Sequence, residues 1–231
     1  MDTDALRARL EQVRERIEGA RGRAGRTGAV TLVAVTKTHP PQAVQAAIAA
    51  GVADVGENRV QELESKVAAV GRDAVRWHLI GHLQRNKVAK ALPLFDLVHS
   101  LDSDRLAQAL SAEAVKAGAT VRALVEINSV GEASKSGFAA EVAVDAVGRI
   151  AALPGLELVG MMTMAPFTDD EAVVRRAFAT TRRACEEAAR QVPGFRGEHL
   201  SMGMSNDFEI AVEEGATLVR VGSSIFGERG V

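Results

Sequence analysis

The sequence VTLVAVTK, residues Val30–Lys37, is followed at once by Thr38-His39-Pro40-Pro41. Its valine, threonine and leucine residues predict a strand buried on both faces, and the two prolines mark where that strand stops. Lys37 therefore ends an apolar strand. Partial loss of water there favours the neutral amine, which can form a Schiff base with a carbonyl compound. The alternative is that the stem of Lys37 lies over the core and its ammonium group reaches solvent.

Eight segments of this kind alternate with helical segments along the 231 residues. The predicted strands are Val30–Lys37, Val52–Val55, Arg76–Ile80, Asp96–His99, Val121–Ile127, Glu157–Met162, His199–Leu200 and Thr217–Val221. Eight β/α units favour an α/β fold closed as a single (β/α)8 TIM-type barrel, because an open sheet usually has fewer strands and leaves edges to protect. In a barrel the carboxyl ends of all strands converge at one mouth.

An additional helix precedes the first strand. It is predicted from Thr3 or Asp4 to about Arg23, because apolar residues recur at helical spacing on one face. No linker or change of composition divides the rest of the chain. We therefore predict one domain over residues 1–231, with the N-terminal helix in 1–25 and the barrel in 30–229.

Composition narrows the possible function classes. Hydrophobic residues make up 47% and charged residues 25%, which is typical of a globular protein. The net charge of −2 provides no overall field to attract nucleic acid or an anionic membrane. The single cysteine, Cys185, cannot form an internal disulfide. We expect a cytoplasmic protein with no metal site, no nucleic-acid partner and no membrane partner.

Polar residues or glycine-containing turns follow the predicted strands. They include Lys37, Asn58, Ser100, Asn128, Thr163, Ser201 and the turn Gly222-Ser223-Ser224. In barrel enzymes the loops after the last two strands often hold a phosphate through backbone N–H groups and hydroxyls. Ser201–Ser205, reading SMGMS, and Gly222–Ser224 have the small and hydroxyl residues that such a site requires. A purely structural role for both turns remains the alternative.

Arg220 lies two residues before Gly222 and therefore shares its face of the strand, which predicts that its side chain points into the barrel. A buried guanidinium must find an acceptor because it cannot lose its charge. A Schiff-base lysine, a phosphate site and an inward arginine together suggest pyridoxal 5'-phosphate (PLP) as the cofactor.

The sequence resembles the PLP homeostasis family over essentially its whole length; these proteins are single barrels similar to the N-terminal domain of alanine racemase. The stretches that carry the resemblance are Val33–Lys37, Gly56–Glu62, Trp77–Lys87, His99–Asp102, Asn128–Gly137, Gly160–Met164, Ser201–Asp207 and Arg220–Arg229. Two positions depart from the family pattern, since Arg59 replaces a frequent aromatic residue and Ser223-Ser224 replaces a threonine-bearing pair.

The resemblance implies a role for each matching position. Lys37 would hold PLP covalently as an aldimine, and Asn58 would lie near the ring. Ser201, Gly222, Ser223 and Ser224 would bind the phosphate, and Arg220 would face the pyridine nitrogen. His78 and His82 are interpreted as structural groups rather than proton carriers.

We expect a protein that stores, buffers or delivers PLP, possible recipients being PLP-dependent apo-enzymes, without substantial turnover and with no catalytic residues. Arg220 offers no acceptor for a proton on the ring nitrogen, which weakens PLP as an electron sink. The related racemases use a tyrosine from a second domain, and this sequence has no tyrosine. The alternatives are a low-activity PLP-dependent racemase or lyase with Lys37 as its only base and, more remotely, a cofactor-free Schiff-base aldolase.

Overall fold

The computed structural model describes residues 3–131 and 136–227. Its strands are β1 (Thr31–Val35), β2 (Asp54–Glu57), β3 (Arg76–Leu79), β4 (Leu97–Leu101), β5 (Val121–Asn128), β6 (Phe138–Ala139), β7 (Leu156–Met162), β8 (His199–Ser201) and β9 (Leu218–Val221). Its α-helices are α1 (Thr3–Arg23), α2 (Pro41–Ala49), α3 (Val60–Val70), α4 (Val88–Ala91), α5 (Asp104–Ala117), α6 (Ala143–Ala151), α7 (Glu171–Gln191), α8 (Phe208–Glu213) and α9 (Ser223–Phe226).

Eight of these strands form a closed parallel barrel. They pair in the order β1-β2-β3-β4-β5-β7-β8-β9, and β9 returns to β1 with Val33 opposite Arg220. The pairing of β4 with β5 closes the circle. The two-residue β6 pairs only with β5 and lies outside this circle. The predicted single barrel is thus confirmed.

The barrel separates two apolar clusters. A small interior cluster contains Val33, Leu97, Leu124, Val159, Met162 and Leu218, all from barrel strands. The larger cluster lies between the strands and the surrounding helices. This arrangement follows from strand alternation, because Leu124 and Val125 on β5 point to opposite faces and belong to different clusters.

Helix α1 covers the barrel beside β9 and β1. Its buried face contains Leu6, Leu10, Val13 and Ile17, as their spacing predicted, together with Ala20. It packs against α2, α8 and α9. Because α9 has only four residues, α1 supplies the apolar cover that the eighth helix of the barrel is too short to provide. No helix within 3–131 or 136–227 is long and apolar enough to cross a membrane.

Several predicted boundaries were wrong by one or two residues. The second strand lies at Asp54–Glu57 rather than Val52–Val55, because glycine and glutamate are rare in strands and a buried partner for Glu57 is not visible in the sequence. The first strand ends at Val35, and the helix predicted over Arg85–Ala91 is a 3-10 turn followed by α4. Residues 132–135 and 228–229, which carry part of the resemblance, lie outside the described residues.

Candidate active-site cavity

A cavity lies at the mouth where β1, β2 and β9 end. Its lining residues are Val35, Lys37, Thr38, His39, Asn58, Ile80, Met164, Met204, Ser205, Asn206, Arg220, Gly222, Ser223 and Gly227. Five of the seven predicted cofactor-binding residues are in this set, and Ser201 and Ser224 are not. None of the described residues that line this cavity is acidic, whereas Lys37 and Arg220 are basic. The cavity therefore suits an anionic ligand.

Lys37 lies in a tight turn immediately after β1. The His39 backbone N–H donates to the Thr36 carbonyl at 3.0 Å, and Thr38 has a φ of 69°, in the left-handed region that non-glycine residues rarely adopt. The Thr38 N–H donates to Glu62 Oε2 at 2.7 Å. Hydrogen bonds on both sides of Lys37 thus fix the backbone from which its side chain enters the cavity.

A buried ion pair lies directly behind this turn. Lys66 on α3 is 3% exposed and Glu57 at the end of β2 is 0% exposed. Lys66 Nζ donates to Glu57 Oε1 and to the Thr36 carbonyl, both at 2.6 Å. The Thr36 hydroxyl also donates to Glu57. Burial raises the pKa of Glu57 even though Lys66 and Thr36 oppose this effect. The pair therefore joins β1, β2 and α3 next to Lys37.

Asn58, which follows β2, lines the cavity close to Gly81. A Cβ atom at Gly81 would lie 2.3 Å from the Asn58 carbonyl oxygen and 2.4 Å from its side-chain Oδ1. Any larger residue at position 81 would displace Asn58. The glycine after β3 is therefore required by the close approach of the two loops.

Arg220 lies at the base of the cavity and is 4% exposed. Its Nη1 donates to Ser201 Oγ at 2.6 Å and its Nη2 donates to the Thr163 carbonyl at 3.0 Å. Burial lowers the pKa of Arg220 to about 10, although Asp207 and Glu126 act in the opposite direction. The guanidinium therefore remains charged at neutral pH.

Ser201 lies beneath the cavity rather than in its wall. Its side chain is fully buried, and its hydroxyl is 2.8 Å from His99 Nδ1 in addition to its bond with Arg220. The hydroxyl accepts from Arg220 and shares a second hydrogen bond with His99, so both of its sides are engaged. The role of Ser201 as a phosphate ligand stays a prediction, and its contacts favour a different one.

Ser205 is the hydroxyl residue that reaches the cavity from the loop after β8. Its Oγ accepts the Gly222 N–H at 3.3 Å and the Ser224 N–H at 3.4 Å. The sequence contained a signal for it, since Ser205 lies in the same SMGMS stretch as Ser201. The prediction named Ser201, at the end of the strand, instead of Ser205. After Ser201 the backbone turns at Gly203, which has a φ of 93°, and this turn brings Ser205 to the cavity.

His78, His82 and Arg59 do not line the cavity. His78 is buried, whereas His82 is exposed and its Nδ1 lies 2.9 Å from Asp102 Oδ2. Arg59 is exposed at the start of α3. Within the described parts of the chain, no group of three or more histidine, cysteine or carboxylate side chains could hold a metal ion.

A family model and a curated relative both match nearly the whole chain. Residues 1–230 match the family model described as the alanine racemase N-terminal domain. The pyridoxal phosphate homeostasis protein of Aquifex aeolicus is 39% identical over 222 residues, covering 96% of this chain and 97% of that protein.

Solved structures agree with this match. A protein described as unknown from Bifidobacterium adolescentis is 41% identical with a TM-score of 0.93, covering 97% of this chain and 95% of that one. PipY of Synechococcus elongatus, solved with PLP bound, is 35% identical with a TM-score of 0.84, covering 96% of this chain and 100% of that one. The chain therefore belongs to the pyridoxal phosphate homeostasis family, whose barrel is that of the alanine racemase N-terminal domain.

Proposed function

We propose that this chain binds PLP in the cavity and holds its aldehyde as an aldimine on Lys37. The observation that carries the proposal is the presence of Lys37, Arg220 and the Ser205 hydroxyl around one cavity without an acidic lining residue among those described. An amine for the aldehyde, a cation at the base and hydroxyl and N–H donors match the chemical groups of PLP. The related PipY structure, which has PLP bound, supports the same ligand.

The phosphate would bind where Gly222, Ser223 and Ser224 face Ser205. The N–H groups of Gly222 and Ser224 both donate to the Ser205 hydroxyl, and a phosphate oxygen bound there would accept from them in its place. Gly222 has no side chain to crowd them, and a Cβ there would already lie 3.2 Å from the Val35 carbonyl. We assign the hydroxyl contact to Ser205, and Ser201 then supports Arg220 from below.

Asn58 and Arg220 would position the ring, with Arg220 facing its nitrogen. When bound, PLP can act as an electron sink, most effectively with a protonated ring nitrogen. Arg220 has only donors and is held charged, so it does not favour that proton. We therefore propose a role in PLP homeostasis, meaning storage, buffering or delivery of the cofactor to apo-enzymes, without substantial turnover.

The test is an absorption spectrum of the purified, PLP-loaded protein before and after borohydride reduction, with mass analysis of the adduct. We expect a reducible chromophore attached to Lys37, which Lys37→Ala abolishes while leaving the protein folded. Lys90→Ala is the matched control, because Lys90 is exposed and pairs with Glu64 at the surface. An adduct that persists in Lys37→Ala would refute the assignment of Lys37.

The same sample should be assayed for amino-acid racemisation and for loss of amino-acid substrate. No turnover above that of free PLP is expected. Sustained turnover that depends on Lys37 would replace the homeostasis proposal with a racemase or lyase. Absence of any chromophore after addition of PLP would return Lys37 to a structural role or to a cofactor-free Schiff base.

A further inference from the structure

A continuous line of hydrogen-bonded side chains crosses the inside of the barrel. It contains Asp54 on β2, His78 on β3, His99 on β4, Ser201 on β8 and Arg220 on β9. Asp54 Oδ1 is 3.0 Å from His78 Nε2, and His78 Nδ1 is 2.9 Å from His99 Nε2. His99 Nδ1 is 2.8 Å from Ser201 Oγ, which accepts from Arg220. Every member is at most 5% exposed.

Such a line is unusual in this fold, because the interior of a barrel is normally filled with branched apolar side chains. Buried polar groups cost free energy unless each is hydrogen-bonded, and a network that is only partly satisfied is worse than an apolar core. In this line each ring nitrogen has a partner. Each hydrogen bond in the line needs one donor and one acceptor, so the hydrogen positions must be consistent from Asp54 to Arg220.

Asp54 determines which atom donates in the first hydrogen bond of the line, the one with His78. Burial alone would raise the pKa of Asp54, but hydrogen bonds from His78 and Arg76 outweigh burial and the pKa is lowered. Arg76 contacts both carboxylate oxygens, at 2.7 and 2.6 Å. An ionised carboxylate only accepts, so His78 Nε2 must carry a hydrogen.

The remaining hydrogens follow from neutral histidines. Burial is the main cause that lowers the pKa of His99 well below its ordinary value, and the charge of Arg220 acts in the same direction. Arg76 already holds both oxygens of the Asp54 carboxylate, which is therefore paired without a charge on His78. If His78 is neutral, its Nδ1 accepts from His99 Nε2–H, and His99 Nδ1 accepts the Ser201 hydroxyl hydrogen. The Ser201 oxygen then offers its lone pairs to Arg220.

Arg220 terminates the line, and a guanidinium does not release its proton. The line therefore cannot conduct a proton into the cavity. What it can do is orient a hydroxyl, which in turn fixes one edge of the guanidinium while Thr163 fixes another nitrogen.

We propose that Asp54, His78 and His99 are positioning residues that orient Ser201 to accept from Arg220 and thereby hold Arg220 at the base of the cavity. The effect of this on a bound cofactor rests on the proposed PLP site. The direction of the hydrogen bonds does not, and it can be measured without any ligand.

The first measurement is a two-bond nitrogen–proton NMR spectrum of the histidine rings in ligand-free protein at neutral pH. The chain has only five histidines, so single His→Gln variants at His39, His82 and His199 simplify the assignment. We expect His78 and His99 both to carry hydrogen on Nε2 alone. A hydrogen on His99 Nδ1, which a charged His78 would impose, overturns the proposal.

The second measurement uses Asp54→Asn, with Asp102→Asn as its matched control. The asparagine amide can donate as well as accept, so His78 and His99 should gain population with hydrogen on Nδ1. Asp102 pairs with the exposed His82, and its substitution should change only that ring. A His99 signal that is the same in Asp54→Asn and in the native protein also overturns the proposal.

PLP-loaded protein separates this inference from the proposed function. Asp54→Asn should shift the absorption maximum of the bound cofactor and weaken its binding several-fold, and Asp102→Asn should do neither. An unchanged spectrum and affinity in Asp54→Asn, despite altered histidines, would refute the positioning role. If native protein forms no chromophore, the proposed function fails, and the histidine spectra alone decide the direction of the line.

Discussion

At the scale of single residues, two serines of one loop differ in what they could offer a phosphate. Ser201 and Ser205 belong to one five-residue stretch, yet their hydroxyls have different surroundings. Ser201 is fully buried between His99 and Arg220, whereas Ser205 lines the cavity and accepts from two backbone N–H groups. A hydroxyl already engaged on both sides has little left to offer a ligand.

Ser205→Ala is accordingly expected to weaken binding of PLP about tenfold to a hundredfold while leaving binding of pyridoxal, which has no phosphate, nearly unchanged. This range corresponds to about 1.5–3 kcal/mol for a hydrogen bond to a charged group. Ser201→Ala should affect both ligands to the same degree. The measurement is the Kd for pyridoxal divided by the Kd for PLP in each variant, a ratio that should fall in Ser205→Ala. A ratio that falls in Ser201→Ala instead would restore the original prediction for that residue.

At the scale of elements, β1, β2 and α3 meet at the Glu57–Lys66 pair. Lys66 donates to the carbonyl of Thr36, and Glu62 on the same helix accepts from the N–H of Thr38. Helix α3 therefore fixes the backbone on both sides of Lys37. Glu57 Oε2 has no hydrogen-bond partner within the described part of the chain. Removing Lys66 would leave a fully buried carboxylate without its main stabilising charge.

We predict that Lys66→Met lowers the free energy of unfolding by about 3–5 kcal/mol, the usual cost of breaking a buried ion pair. Lys90→Met, which removes an exposed lysine paired with Glu64, should cost no more than about 1 kcal/mol. Glu57→Gln combined with Lys66→Met should recover part of the loss because no charge is then buried. Urea unfolding of the three variants measures this. Equal losses in Lys66→Met and Lys90→Met would contradict the importance of the buried pair.

At the scale of the whole molecule, stability should depend on the protonation of Glu126. This residue on β5 is 6% exposed, and burial, followed by repulsion from Asp102, raises its pKa to about 7 from an ordinary value of 4.5. Between these values the native state binds more protons than the unfolded state. The free energy of unfolding therefore falls as the pH rises through this window.

Glu126→Gln should remove this dependence. Relative to the variant, native protein should lose up to about 3 kcal/mol of stability between pH 4.5 and pH 7, from the size of the pKa difference. Chemical unfolding of both proteins at several pH values measures the difference. Glu157→Gln, on the neighbouring β7, reports the effect of losing an exposed carboxylate. A difference between native protein and Glu126→Gln that is constant with pH would refute the raised pKa.

The sequence by itself determined the barrel and the edge at which its site lies. Eight apolar segments alternating with helices favour a closed parallel sheet, which the structure confirms, and the strand ends then place Lys37, Asn58, Arg220, Gly222 and Ser223 around one cavity. These positions follow from two local rules, the alternation of side chains along a strand and the common direction of parallel strands. Their roles as cofactor ligands stay predictions.

Only the tertiary structure decided what each polar side chain contacts. Ser201 meets His99 from a strand 102 residues away, and Lys66 meets a glutamate that the sequence suggested would lie in a loop. Which hydroxyl faces the cavity depended on the path of the backbone at Gly203, not on the order of the residues. Such contacts join side chains of different elements, and no periodicity within one segment records them, because they arise only when folding brings those elements together.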